Sequence, residues 1–117
     1  GTYYIEATQA LTAIDVNTGG HMSPAAALKA NIAMAHDLPR QLRIRGIGGQ
    51  IVIDPAPIPK KDRRLFEIAI RRAFSGDDIR TQILGWTNLG HLELQRARKK
   101  APLELKDLSN SAKEVPS

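Results

Sequence analysis

The sequence contains no cysteine. This absence excludes disulfide bonds, thiolate zinc sites and a cysteine nucleophile, and it is typical of a reducing compartment, so we expect a cytoplasmic protein. Aromatic residues make up only 4% of the chain, which argues against the aromatic platforms on which many single-strand-binding proteins stack bases. No apolar run approaches the ~20 residues that a membrane-spanning helix requires.

The size and composition of the chain predict one folded domain with a hydrophobic core. Of its 117 residues, 42% are hydrophobic and 25% are charged, values that are ordinary for a globular domain. We expect this domain to occupy residues 1–100, because residues 101–117 mix Pro, Ser, Asn and charges with little periodicity and predict a tail or linker. The chain begins in a strand-like pattern without an initiator Met, so we expect a piece of a longer protein.

The positive charge of the chain is concentrated in its middle. The formal net charge is +5, from 17 Lys and Arg against 12 Asp and Glu. Residues 37–100 carry fourteen of these basic residues and seven of the acidic ones, whereas the segments on either side each have a net charge of −1. This distribution favours an anionic partner such as nucleic acid for the central part of the chain.

The pattern of apolar residues predicts the element order β-β-α-β-α-β-β. The strands are predicted at Tyr3 to Ala7, Ala10 to Val16, Gln50 to Asp54, Ile79 to Leu84 and about His91 to Gln95, and the helices at Ser23-Pro24 to about Arg45 and at Lys60 to Phe74. Strands that alternate with helices predict an α/β fold, with a mixed, mostly parallel sheet, crossover helices and an N-terminal β-hairpin. Pro39 interrupts the first helical stripe, so we expect a kink there or two abutting helices.

Two aspartates stand at corresponding positions of neighbouring strands. Asp15 comes near the end of the second predicted strand and Asp54 at the end of the third, and a helix joins these strands. If the strands are parallel, both carboxylates emerge at the same edge of the sheet, where open α/β sheets bind ligands. Carboxylate oxygens suit Mg²⁺ or Mn²⁺, and a cation held there can activate water and stabilise charge during attack on a phosphodiester. Asn17, two residues further on, could orient Asp15 or donate to a phosphate oxygen.

Each of these polar residues also has a structural interpretation. An aspartate after a hydrophobic strand often accepts backbone N–H bonds in a turn, and Asn17 is an ordinary turn former. The three histidines show no metal-ligand spacing and no nucleophile partner, so we expect solvated or loop positions for His21, His36 and His91.

Two groups of basic residues are candidates for contact with the phosphate backbone of RNA. The first group follows the Asp54 loop at a helix N-terminus, where cations are unfavourable for the helix, and consists of Lys60, Lys61, Arg63 and Arg64. The second group lies at the end of the first helix and consists of Arg40, Arg43 and Arg45. For this second group, a favourable interaction with the helix dipole is as good an interpretation as RNA contact.

Four stretches of the sequence, in order, resemble the catalytic core of the bacterial ribonuclease E/G family. They are Glu6 to Thr18, with Ala-Ile-Asp-Val-Asn; Ala30 to Ala33; Arg40 to Asp54, with Ile-Val-Ile-Asp; and, more loosely, Leu89 to Arg98. The resemblance implies a deoxyribonuclease I-like subdomain in which Asp15 and Asp54 bind the catalytic Mg²⁺, for which Mn²⁺ is a possible substitute, and Asn17 supports Asp15. Pro57 stands where longer members commonly have a further aspartate.

The resemblance implies a metal-dependent endoribonuclease core that hydrolyses single-stranded RNA, leaving 5′-phosphate and 3′-hydroxyl ends, in RNA processing and decay. The expected partners are RNA, the remaining domains of a parent enzyme and a second copy of the chain. Pro57 and the few aromatic residues keep open an alternative, a non-catalytic RNA-binding or assembly module with the same fold. A DNA nuclease of similar geometry is a third alternative, since phosphate contacts and a metal do not read the 2′-hydroxyl.

Overall fold

The computed structural model describes residues 2–17 and 19–98. Its elements are β1 (Thr2–Ala7), β2 (Thr12–Asn17), α1 (Pro24–Arg45), β3 (Gly49–Asp54), α2 (Lys60–Ser75), β4 (Thr81–Trp86) and β5 (Leu92–Arg96). The predicted order of the seven elements is therefore confirmed. The tail predicted at residues 101–117 lies outside the described residues.

The five strands form one mixed sheet in the order β1-β2-β3-β5-β4. The predicted α/β class and the N-terminal hairpin of β1 and β2 are confirmed. β2, β3 and β4 run in the same direction, but only β2 and β3 are adjacent, because the hairpin of β4 and β5 folds back and inserts β5 beside β3. The other three ladders are antiparallel, so the sheet has fewer parallel ladders than the sequence predicts.

The hydrophobic core lies between one face of the sheet and the two helices. Along β3, buried and more exposed residues alternate, as expected when one face of a strand packs on the core. The core residues from the strands are Ile14, Val16, Ile51, Ile53, Leu92 and Leu94, and those from the helices include Met34, Leu38, Leu42, Phe66, Ile70 and Phe74. None of the described helices packs on the opposite face of the sheet, which we call the open face. Neither described helix is long and apolar enough to cross a membrane.

Helix α1 is one continuous helix in spite of its internal proline. Ser23 caps its N-terminus by accepting a hydrogen bond from the N–H of Ala26, and Gly46 ends it in a left-handed conformation at φ 65°. Pro39 lies buried inside the helix, so the expectation of two abutting helices is wrong. Burial of the proline ring in the core offsets part of the roughly 3 kcal/mol that a lost helical hydrogen bond and the ring clash cost. A kink at Pro39 stays a prediction.

A buried charged cluster joins the elements at the end of the sheet where β3 begins. The fully buried carboxylate of Asp77 accepts hydrogen bonds from Nη1 of Arg43 and from Nη1 of Arg96, each at 2.7 Å. Nη1 of Arg96 also donates to Thr81 at 2.8 Å, and its guanidinium lies over the ring of Phe74, 5.7 Å from the centroid. We call these five residues the Asp77 cluster. It ties the end of α1 to the α2–β4 connection and to β5.

The Asp77 cluster changes the acidity of its central carboxyl group. Burial raises the pKa of Asp77, but the hydrogen bonds and positive charges of Arg43 and Arg96 outweigh this effect and hold the pKa below its ordinary value of 3.8. Asp77 is therefore ionised at neutral pH and balances the charge of the fully buried Arg96 side chain.

Replacing Asp77 with Asn is expected to destabilise the protein by about 3 kcal/mol, because the buried guanidinium of Arg96 loses its charge partner. Asp78→Asn is the matched control, since Asp78 is exposed and its loss is expected to change the free energy of unfolding by less than about 0.5 kcal/mol. Urea unfolding at neutral pH measures both. Equal stabilities of the two variants would contradict a structural role for the cluster.

The same carboxylate predicts how stability falls in acid. A carboxyl group whose folded pKa is lowered contributes stability that is fully present above the unfolded pKa, here 3.8, and is lost as the pH falls through the folded pKa. The difference in unfolding free energy between the wild type and Asp77→Asn is therefore expected to be constant near neutral pH and to narrow below about pH 4. Urea unfolding over a pH series measures it. A difference that widens in acid would contradict the lowered pKa.

Candidate active site

The register of β2 and β3 brings Asp15 and Asp54 side by side. They are Cα partners at the end of the only parallel ladder among the described strands, and adjacent strands lie about 4.8 Å apart. Ile14, Val16 and Ile53 are buried in the core, so the alternation of side chains directs both carboxylates to the open face, where both residues are exposed. The predicted meeting of the two aspartates is therefore present. Their role as metal ligands stays a prediction.

Further polar and aromatic residues continue this row across the sheet. Tyr4 is the partner of Asp15 on the edge strand β1 and is 59% exposed. On the other side, Nε2 of His91 lies 3.6 Å from Oδ1 of Asp54. Asn17 is the last residue of β2 and pairs with Thr2. The open face therefore presents two neighbouring carboxylates with an aromatic ring on one side and an imidazole on the other.

The position of His91 beside Asp54 was not predicted from the sequence. His91 precedes β5, and the pairing of Leu92 with Ile53 puts it next to the end of β3. The turn before it is fixed by two hydrogen bonds between Thr87 and His91, of 2.7 and 3.1 Å. The spacing of the histidines contains no signal for this contact. Only the pairing of β5 with β3 would have indicated it.

The loop that follows Asp54 is held in place by a buried asparagine of α1. The side chain of Asn31 is fully buried, donates to the carbonyl of Ala56 at 3.0 Å and accepts from the N–H of Ala56 at 2.8 Å. This reciprocal pair satisfies both backbone groups of Ala56 and fixes the loop against the helix. Asn31 stands on the same helical stripe as the apolar Ala35 and Leu38, and a polar residue on that stripe was the signal that it had a special role.

The first group of basic residues lies at the start of α2, after the loop that follows Asp54. Arg63 borders a cleft of about 220 Å³ together with Asp54 and Gly90. Its guanidinium also lies over the ring of Trp86, 5.3 Å from the centroid. Lys60, Lys61 and Arg64 are exposed on the first turns of the same helix. Contact of these four residues with RNA stays a prediction.

The second group of basic residues lies on the last turns of α1, on the side of the sheet that the helices cover. Arg43 binds Asp77 of the buried cluster. Nη1 of Arg40 lies 3.6 Å from Oδ1 of Asp37. Arg45 borders a recess that Tyr3 also lines. No ion pair or cleft formed by the described residues joins any of the three to Asp15 or Asp54. The structure therefore does not bring Arg40, Arg43 and Arg45 together with the aspartates, and RNA contact by them stays a prediction.

Tyr3 lies in this recess, on the part of β1 that pairs with the end of β2. Its hydroxyl donates to Oδ2 of Asp37 at 2.6 Å. Burial, and then the hydrogen bond and charge of Asp37, raise the pKa of Tyr3 above its ordinary value, so that the phenol stays protonated as a donor. The contact fastens the edge strand β1 to α1.

Comparison with known proteins gives the same assignment as the motifs. The model of the ribonuclease E/G family matches residues 1–99. The chain belongs to the ribonuclease E/G family. It is 39% identical over 104 residues to ribonuclease E of Escherichia coli (strain K12), a match that covers 84% of this chain and 10% of that protein. It is 34% identical over 109 residues to ribonuclease G of the same strain, covering 89% of this chain and 22% of that protein.

A third relative matches to a similar degree. Ribonuclease E of Nostoc sp. (strain PCC 7120) is 38% identical over 104 residues, which cover 85% of this chain and 15% of that protein. The chain thus spans less than a quarter of the length of these curated relatives. The matched region contains both aspartates, Asn31 and His91.

Replacing Asn31 with Ala is expected to destabilise the protein by about 2 kcal/mol, because it leaves the N–H and C=O of Ala56 buried without partners. Lys29→Ala is the control: Lys29 is exposed on the same helix, so its loss is expected to change stability by less than about 0.5 kcal/mol. Thermal and urea unfolding measure both variants. An Asn31→Ala variant as stable as Lys29→Ala would show that the asparagine does not hold the loop.

Proposed function

We propose that this chain is the core of a divalent-metal-dependent endoribonuclease, which hydrolyses phosphodiester bonds of single-stranded RNA in RNA processing or decay. The observation that carries the proposal is the pairing of Asp15 with Asp54 at the end of the parallel ladder, on the open face of the sheet. Membership of the ribonuclease E/G family supports RNA as the substrate. Hydrolysis that leaves 5′-phosphate and 3′-hydroxyl ends is part of the proposal.

The donor set fits Mg²⁺ or Mn²⁺. Within residues 2–17 and 19–98, no lysine or arginine forms an ion pair with either aspartate, so the two exposed carboxylates remain accessible to a cation. In that part of the chain no group of three or more His, Cys, Asp or Glu side chains is arranged to hold a metal ion, so the two carboxylates would share the cation with water and substrate. This matches the preference of Mg²⁺ for one or two carboxylates, with water and substrate phosphate as the other ligands. When bound, the cation would supply a Lewis acid that stabilises charge on the phosphate and activates water.

The chain's own residues would bind and orient the substrate around this pair. Asp15 and Asp54 would hold the cation between them. Asn17, at the end of the same strand as Asp15, would support Asp15. Asn31 keeps the loop after Asp54 fixed, which preorganises that carboxylate. Arg63, on the rim of the Asp54 cleft, would attract the phosphate backbone together with its basic neighbours on α2.

The location and the partners of the chain are part of the same proposal. We assign it to the cytoplasm, where its RNA substrates are, and expect it to act with further domains of a longer enzyme, because it spans only part of its relatives. Association with a second copy of the chain belongs to the same proposal and is measured by analytical ultracentrifugation.

Replacing either aspartate with Asn is expected to lower the rate of RNA cleavage by at least about 10²-fold, since each variant keeps the shape of the side chain but removes a charged ligand. The assay follows a 5′-labelled A/U-rich RNA in the presence of Mg²⁺. Glu6→Gln is the matched control, because Glu6 is an exposed acid on the neighbouring strand that pairs with Ala13. EDTA is expected to abolish cleavage and added Mn²⁺ to restore it.

Three outcomes would contradict the proposal. Equal cleavage by Asp15→Asn, Asp54→Asn and Glu6→Gln would show that the aspartates are not the site. RNA binding without cleavage, and without any response to Mg²⁺, would favour a non-catalytic RNA-binding or assembly module. Equal cleavage of single-stranded DNA of the same sequence would favour a nuclease that does not distinguish the two nucleic acids.

A further inference from the structure

A second cleft lies beside the candidate active site, between α2 and the edge strand β4. It has a volume of about 500 Å³, within the range of small-molecule sites. Its walls are formed by Arg63, Arg64, Glu67, Ile68, Arg71 and Trp86. Neither aspartate borders it, so its charge and shape need an explanation of their own.

The cleft has an excess of positive charge. Its single carboxylate, Glu67, is already engaged through both oxygens: Oε1 accepts from Nε1 of Trp86 at 3.0 Å, and Oε2 accepts from Nε of Arg71 at 3.0 Å. Glu67 therefore balances the charge of Arg71. The charges of Arg63 and Arg64 are left to attract an anion.

The cleft also has an aromatic wall held in a fixed orientation. The hydrogen bond to Glu67 anchors the indole of Trp86, and Phe66 packs against it with a centroid distance of 6.0 Å. The guanidinium of Arg63 lies over the indole, 5.3 Å from the ring centroid. Indole rings and guanidinium planes are the surfaces on which proteins stack unpaired bases.

Arg63 connects this cleft to the candidate active site. Its side chain borders both the Trp86 cleft and the cleft beside Asp54. Gly90 lies against the end of the Arg63 side chain, because a Cβ at that position would come within 2.9 Å of Nη2 of Arg63 and displace it. Gly90 also has a backbone φ of +84°, a conformation that residues with a Cβ rarely adopt. The two clefts therefore share the side chain of Arg63 as a common wall.

We propose that the Trp86 cleft is a nucleotide-binding subsite for single-stranded RNA. A nucleotide that flanks the cleaved bond places its phosphate at Arg63 and Arg64 and its base against Trp86 and the guanidinium of Arg63. The assignment of RNA as the ligand rests on the proposed function, but binding at this cleft requires neither the cation nor cleavage.

The chain carries its own probe for this subsite, because Trp86 is its only tryptophan. Titration of the wild-type chain with an A/U-rich RNA in EDTA, which prevents cleavage, is expected to quench the Trp86 fluorescence saturably. Arg64→Gln is expected to weaken this binding about fivefold. Arg72→Gln is the matched control, since Arg72 is exposed on the same helix and does not border the cleft; it is expected to bind as the wild type.

Cleavage kinetics provide a second readout. Trp86→Phe keeps an aromatic ring but loses the Nε1 hydrogen bond, and Trp86→Ala removes the stacking surface altogether. Trp86→Ala is expected to raise KM about tenfold while kcat at saturating RNA stays within about twofold, with Trp86→Phe in between. Circular dichroism shows whether the Trp86 variants fold. If they do not, the RNA affinity of Arg64→Gln alone tests the subsite.

Failure of this inference is separable from failure of the proposed function. Absence of quenching by RNA, or equal affinities of Arg64→Gln and Arg72→Gln, would overturn the subsite even if the aspartates support cleavage. Equal quenching by inorganic phosphate and by RNA would overturn the role of Trp86 as a base-stacking surface. Conversely, Asp54→Asn is expected to keep the RNA-dependent quenching; loss of quenching in that variant would overturn the independence of the two clefts.

Discussion

The parallel pairing of β2 with β3 is the constraint on which the rest of the structure depends. It aligns Ile14 with Ile53 in the core and Asp15 with Asp54 on the open face. A shift of either strand by one residue would bury a carboxylate and expose an isoleucine. The hydrophobic pattern that stabilises the sheet therefore also fixes the distance between the two candidate ligands, and helix α1 is the crossover that makes the parallel pairing possible.

The carboxylates at the two ends of this sheet differ in burial and in pairing. At the end where β3 begins, the carboxylate of Asp77 is buried and fully committed to Arg43 and Arg96, so its charge stabilises the fold. At the other end, Asp15 and Asp54 are exposed, and the imidazole of His91 lies 3.6 Å from the carboxylate of Asp54. Carboxylates left accessible next to a basic helix are suited to binding a ligand, whereas a buried and paired carboxylate is not.

Much of the fold and the centre of the candidate site could be predicted from the sequence, because both depend on local patterns. The strand-end positions of Asp15 and Asp54 follow from hydrophobic runs and their breaks. The insertion of β5 between β3 and β4 could not be predicted, since it depends on how a hairpin pairs with a distant strand. For the same reason, the contact of His91 with Asp54 and the burial of Asp77 between two arginines could not be predicted. The prediction of two abutting helices at Pro39 was wrong because burial of the proline in the core is a tertiary effect. This burial offsets part of the cost of a proline inside a helix.

The central claim is that Asp15 and Asp54 together hold a divalent cation. The most direct test is a crystal structure of the chain soaked with Mn²⁺, whose anomalous signal locates the ion independently of the protein atoms. The account predicts Mn²⁺ within about 2.0 to 2.4 Å of carboxylate oxygens from both aspartates. Mn²⁺ bound elsewhere, or bound to only one of the two carboxylates, would contradict it.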